Sequence, residues 1–115
     1  MMNKIDYNGR IFTSWENSGN GEVNRETLFH YFQDGNLVWA NYAGGGIIAG
    51  HLIATMGDDG ALDMRYHHVN EKNEIMTGIC TSTPELLENG KIRLHEEWTW
   101  TSGDRSSGRS ILQEV

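Results

Sequence analysis

The sequence describes an all-β protein: an antiparallel up-and-down meander of about eight strands, closed or nearly closed into a calycin- or lipocalin-like barrel. Clusters of Gly, Asn, Asp and Ser cut the chain into short segments, and the segments alternate with a period of two. No segment carries the 3.6-residue repeat of an amphipathic helix over ten residues or more. With 115 residues there is material for one domain, so residues 1–115 are read as a single barrel. A sheet of this width left open would expose two edges, which closure removes. A curved open sheet or a two-sheet sandwich is the alternative.

The turn clusters fall at residues 17–21, 34–36, 44–46, 58–60, 71–74, 88–90 and 102–104. Their residue types tolerate the positive φ of tight hairpins. The second segment, "EVNRETLFHYFQ", reads as a strand whose faces do not separate. In the third, Leu37, Trp39 and Asn41 share one face, and Val38, Ala40 and Tyr42 the other. The fourth, "IIAGHLIATM", is again ambiguous. In the fifth, Leu62, Met64, Tyr66 and His68 oppose Asp63, Arg65 and His67. The sixth holds Cys80 beside Gly78, where the thiol reads as a small buried hydrophobe. Its end, "STPELLENGK", is the one place where a short helix competes, with Pro84 in a first turn and Gly90 as a stop. In the seventh, Ile92, Leu94, Glu96, Trp98 and Trp100 oppose Arg93, His95, Glu97, Thr99 and Thr101. The eighth follows the polar loop "TSGDRSSG", which reads as a hairpin.

One stretch challenges this picture. In "NYAGGGIIAGHL", Gly44, Gly46 and Ala49 match G-x-G-x-x-G/A, the phosphate-binding turn of dinucleotide folds. That turn works only between a strand and a helix whose amides meet the pyrophosphate. The helix here would be "IIAGHLIATMG", a poor helix former, and no other helix would cover a parallel sheet. The stretch is therefore expected to be a Gly-rich hairpin, with Gly50 a bulge or close-packing site.

Nine Lys and Arg against sixteen Asp and Glu give a formal net charge of −7, which repels phosphate backbones and anionic membrane surfaces. Nucleic acid and membranes are accordingly not expected partners. A lone cysteine forms no intrachain disulfide and fits a reducing compartment. The segment MMNKIDYNGR has no apolar core of signal-peptide length, and no run spans a bilayer, so a cytoplasmic location is the expectation. No cofactor is expected.

By "GRIFTSWENSGNGEV", "YAGGGIIAGHL", "LDMRYHHVN" and "LHEEWTWTSGDRSSGRSILQEV", the chain resembles a family of small, largely uncharacterised bacterial proteins. Some members of that family carry an N-acetylglutamate synthase label. The resemblance covers nearly the whole chain and is most specific from Glu96 to Asp104. It implies one small domain. The label implies an acyltransferase, but acyl-CoA chemistry of the common kind needs a pyrophosphate loop that opens a helix, and the residues show none.

The sequence offers one constellation for a site. If the more apolar strand faces line the barrel, Trp39, Asn41, Tyr66, His68, Glu96 and Trp98 bring polar groups and aromatic walls into one interior. Two readings stay open: a small-molecule pocket, or a core whose polar groups satisfy one another. The opposite face, with Arg65, His67, Arg93, His95 and Glu97, reads as solvated; zinc on His67, His95 and Glu97 is a weak signal, because "LHEEW" splits its neighbours between faces. Small-molecule binding is the favoured function. A homodimeric interaction module is the alternative, and an enzyme of the labelled kind the third.

Overall fold

The turn clusters and the segments between them close into a ring. A computed structural model describes residues 5–115. It contains β1 (Ile11–Asn17), β2 (Leu28–Asp34), β3 (Leu37–Gly44), β4 (Ile47–Met56), β5 (Leu62–Asn70), β6 (Ile75–Leu86), β7 (Ile92–Trp100) and β8 (Ser107–Glu114). Each strand pairs antiparallel with the next, and β8 returns to β1, with Phe12 opposite Glu114 and Asn17 opposite Ser110. No edge is left in the sheet. β1 and β2 pair only from Ile11↔His30 to Thr13↔Leu28, so their connecting loop leaves the wall early.

The two ends of the barrel differ. At the end carrying the β2–β3, β4–β5 and β6–β7 turns, the interior is filled with apolar side chains. Phe12, Leu62, Ile92, Leu94 and Leu112 are fully buried there, each burial contributing about 1.5–3 kcal/mol. Tyr7 plugs this end: its hydroxyl donates to the Gly60 carbonyl at 2.7 Å, and its amide to Gln33 Oε1 at 2.8 Å. The other end carries the β1–β2, β3–β4, β5–β6 and β7–β8 connections and most of the aromatic side chains.

Those aromatics need room, and glycines on the adjoining strands supply it. Gly50, Gly78 and Gly108 are the ladder partners of Tyr42, Tyr66 and Trp98. A Cβ on any of the three would run into its partner's ring. Gly50 is thus a close-packing site. The Gly-rich stretch before it is a hairpin, with Gly44 and Gly45 at φ 111° and 61°, left-handed values that L side chains rarely adopt. Register shifts flank the turn on both sides of β4, and they explain why that strand's alternation could not be read.

Three expectations need correcting. The face of β3 that turns inward is Val38, Ala40 and Tyr42, while Asn41 is exposed and Trp39 lies on the outer side with it. Both faces of β3 are apolar enough to be buried, but Ala40 sits in the ladder between Tyr31 and Leu52, whose side chains already fill that level. A period of two makes the choice all-or-none. Second, the segment from Glu22 is not strand until Leu28. Asn24 Oδ1 accepts the Glu26 amide at 2.8 Å, and Thr27 Oγ1 accepts the Asn24 amide at 3.1 Å, a local turn that competes with the ladder. Third, Pro84 lies in β6 and not in a helix. It falls beyond Ser82, the last residue of β6 paired to β5, where the missing N–H is tolerated.

Candidate functional site

At the aromatic end, the inward faces surround a cavity of about 50 Å³. β2 contributes Phe29 and β3 Tyr42. β5 contributes Met64, Tyr66 and His68, and β7 Glu96, Trp98 and Trp100. Residues Gly21, Glu22 and Val23 of the β1–β2 loop cross the mouth. A space of this size takes a few waters, against about 150 Å³ for an engineered apolar cavity that admits benzene.

The rings of the walls brace one another. Trp98 and Trp100 meet edge to face at 5.4 Å, Trp100 meets Tyr66 and His68 at 5.7 Å each, and Phe29 stacks on Tyr42 at 4.7 Å. Such contacts contribute about 0.5–1.5 kcal/mol each beyond burial. The Trp100 indole N–H donates to the Asn20 carbonyl at 3.1 Å, which ties the loop to the wall.

Two ionisable groups stand among these rings. Glu96 is buried, with Ser82 Oγ donating to Oε2 at 3.0 Å and Ser110 Oγ to Oε1 at 3.3 Å. Burial pushes its carboxyl up to about 7, and the two hydroxyls hold it from rising further. His68 is also buried. Burial lowers its pKa, with Glu22 acting in the opposite sense, so the ring is neutral at pH 7. Its Nε2 lies 2.7 Å from Glu22 Oε1 and its Nδ1 2.9 Å from the Tyr42 hydroxyl. A carboxylate only accepts, so Nε2–H donates to Glu22 and the Tyr42 O–H donates to Nδ1. The Cys80 thiol is pushed far up by burial, then by Glu96, which leaves it an unreactive part of the wall.

Ser14 Oγ, Asn17 Oδ1 and the Tyr31 hydroxyl are buried without a hydrogen-bond partner among the described residues. An unpaired buried polar group costs about 1–3 kcal/mol. Tyr31→Phe is therefore expected to raise stability by about 1 kcal/mol in urea unfolding; a loss of stability would mean that the hydroxyl has a partner in solution.

Of the residues expected to meet in the interior, Tyr66, His68, Glu96 and Trp98 line the cavity together. Trp39 and Asn41 do not. Trp39 stacks on Phe32 outside the barrel at 5.8 Å, and Asn41 Oδ1 pairs with His51 Nδ1 at 3.0 Å. Tyr42, Trp100, Phe29 and Glu22 were missed. Trp100 shares the face of Trp98 and was within reach of the alternation, and Tyr42 follows once β3 is turned the right way. Glu22 sits on a loop, and its partners are 46 and 48 residues away, beyond any local pattern. On the outer face, His95 pairs with Glu85 at 2.9 Å and Glu97 with Arg109 at 3.4 Å.

A meander of eight strands, filled at one end and hollow at the other, is a calycin-type barrel. Within that class the chain belongs to the avidin-like family, whose model, described as avidin-like protein, matches residues 5–115. No curated protein and no solved structure matches the chain. The described residues form no helix, so none offers the helix N-terminus that a CoA pyrophosphate would need, and none is long and apolar enough to cross a membrane.

Proposed function

We propose that the protein binds a small molecule in the hollow end of its barrel, against Tyr66, His68, Glu96 and Trp98. The observation that carries this reading is Glu96. A carboxyl sunk in an apolar interior costs several kcal/mol, and a core built for stability alone has no use for one. Here it stands on the cavity wall with two serine hydroxyls and spare acceptor capacity, among five aromatic rings. The ligand that fits such a lining has an apolar or aromatic body and an N–H or O–H directed at Glu96. Membership of the avidin-like family supports the reading.

The test is a fragment screen by ligand-observed NMR, joined to native mass spectrometry of the protein drawn from its own host. Compounds that bind the native chain and are lost in Trp98→Leu and Glu96→Leu support the proposal. An empty screen, or hits indifferent to both substitutions, overturns it.

A second reading is self-association through the outer face of β2–β4, where Phe32 and Trp39 stack and Leu37 and Ile53 stand exposed beside them. Light scattering on the native chain and on Trp39→Ser checks it: a dimer that becomes a monomer supports this face, and a monomer throughout dismisses it.

A further inference from the structure

Glu22 lies in the β1–β2 loop, outside the strand pairings, yet its carboxylate occupies a well-made site. Oε1 accepts from His68 Nε2 at 2.7 Å, and Oε2 accepts from Asn70 Nδ2 at 3.0 Å. Each oxygen takes one donor, the arrangement a planar two-oxygen group satisfies and a single oxygen does not. Both donors are buried, His68 at 3% exposure and Asn70 at 5%. Neither depends on Glu22 for its orientation. The Tyr42 O–H fixes the His68 ring from the other side, and Asn70 Oδ1 accepts the amides of Lys72 at 3.1 Å and Glu74 at 3.0 Å.

The same loop limits the cavity. Gly21, Glu22 and Val23 form part of its lining, and with them in place about 50 Å³ is open. A molecule larger than a few heavy atoms needs this stretch to move if it is to seat fully inside the barrel. Apart from Glu22, residues 21–23 are tied to the strands by one side-chain hydrogen bond among the described residues, from Asn17 Nδ2 to the Val23 carbonyl at 2.9 Å. When they lift, His68 Nε2–H and one Asn70 N–H lose their acceptor in a buried setting, which is costly until another acceptor arrives.

We infer that Glu22 is a built-in stand-in for a ligand carboxylate: the molecule bound in the barrel carries a carboxylate that replaces Glu22 on His68 and Asn70 and displaces residues 21–23 from the mouth. This rests on the small-molecule reading above and names the ligand's chemical class. Glu74 Oε1 also accepts from Asn70 Nδ2, at 3.1 Å, and its charge opposes a second anion, so the site suits one carboxylate and not a polyanion.

The experiment compares benzoate with benzamide, its neutral isostere, on the native chain and on Glu22→Ala, with dissociation constants from ligand-observed NMR and the His68 ring nitrogens followed by ¹⁵N shifts. Thermal unfolding verifies that the variant is folded; the substitution lies on a loop. Benzoate is expected to bind Glu22→Ala about ten-fold or more tightly than it binds the native chain, to move the His68 Nε2 shift, and to outbind benzamide by a similar factor. The double variant Glu22→Ala/His68→Gln is expected to lose that preference. If benzoate and benzamide gain equally, Glu22 is only a plug; the carboxylate inference falls and the small-molecule reading stands. If benzoate binds native and variant alike, the stand-in is overturned. If neither compound binds either protein, the carboxylate inference falls, and the small-molecule reading is decided by the fragment screen.

Discussion

Raising the pH from about 5 to about 8 is expected to destabilise the native protein by up to about 3 kcal/mol through Glu96, and this loss is expected to vanish in Glu96→Gln. Burial raises the carboxyl from 4.5 to about 7 in the folded state, while the unfolded chain keeps the ordinary value. Between those values the folded state holds a proton that the unfolded state has released, so stability falls as pH rises. The contribution is whole below 4.5 and gone above about 7. His68 works in the other direction over part of this window. Its folded pKa is lowered from 6.5, so the stability it contributes is present above 6.5 and lost as pH falls through the lowered value. The native slope is therefore the difference of two opposed terms, and the Glu96→Gln chain, which keeps His68, isolates one of them. Urea titrations at pH 5, 6, 7 and 8 with unchanged m-values provide the measurement. Parallel curves for the native and Gln chains would show that Glu96 is ionised without penalty and that its setting is wet, contrary to its burial.

That carboxyl also shows how far the sequence could be read. Glu96, Trp98 and Trp100 were found to share a face because β7 alternates without interruption from Ile92 to Trp100, and β5 does the same from Leu62 to His68. Where one face is apolar and the other charged, the pattern decides which way a strand turns. β3 has no charged residue, so Trp39 and Asn41 looked as fit for the interior as Ala40 and Tyr42; only the volume already occupied by Tyr31 and Leu52 on either side decides it. β4 hides its phase behind two register shifts. The closure of β8 on β1 follows from the cost of open edges, and this could be argued in advance. The loop from Gly21 to Thr27 could not. Its conformation is set by Asn24 and Thr27 side chains bonding to nearby backbone, and its place over the mouth by Glu22 finding His68 and Asn70 on a strand far along the chain.

The hollow end owes its shape to glycines as much as to aromatics, and Gly108→Ala is expected to cost about 2 kcal/mol. Gly108 lies opposite Trp98 in the β7–β8 ladder, and a methyl there would meet the six-membered ring of the indole and Ser18 Oγ. Its φ is not in the left-handed region, so the backbone accepts alanine and the penalty is one of packing. Trp98 has little room to yield: it is 7% exposed, and Trp100 stands against it. Trp98→Leu alone removes ring burial and is expected to cost about 2 kcal/mol. If the two residues oppose each other as described, the double variant loses less than the sum of the singles by about 1 kcal/mol or more, because the smaller side chain makes way for the methyl. Strict additivity in a urea-unfolding cycle would remove Gly108 from the account of the cavity. A positive coupling carries a consequence for binding: the wall positions a ligand would touch are set from the neighbouring strand, so Gly50→Ala and Gly78→Ala, facing Tyr42 and Tyr66, should reshape the same cavity from its other sides.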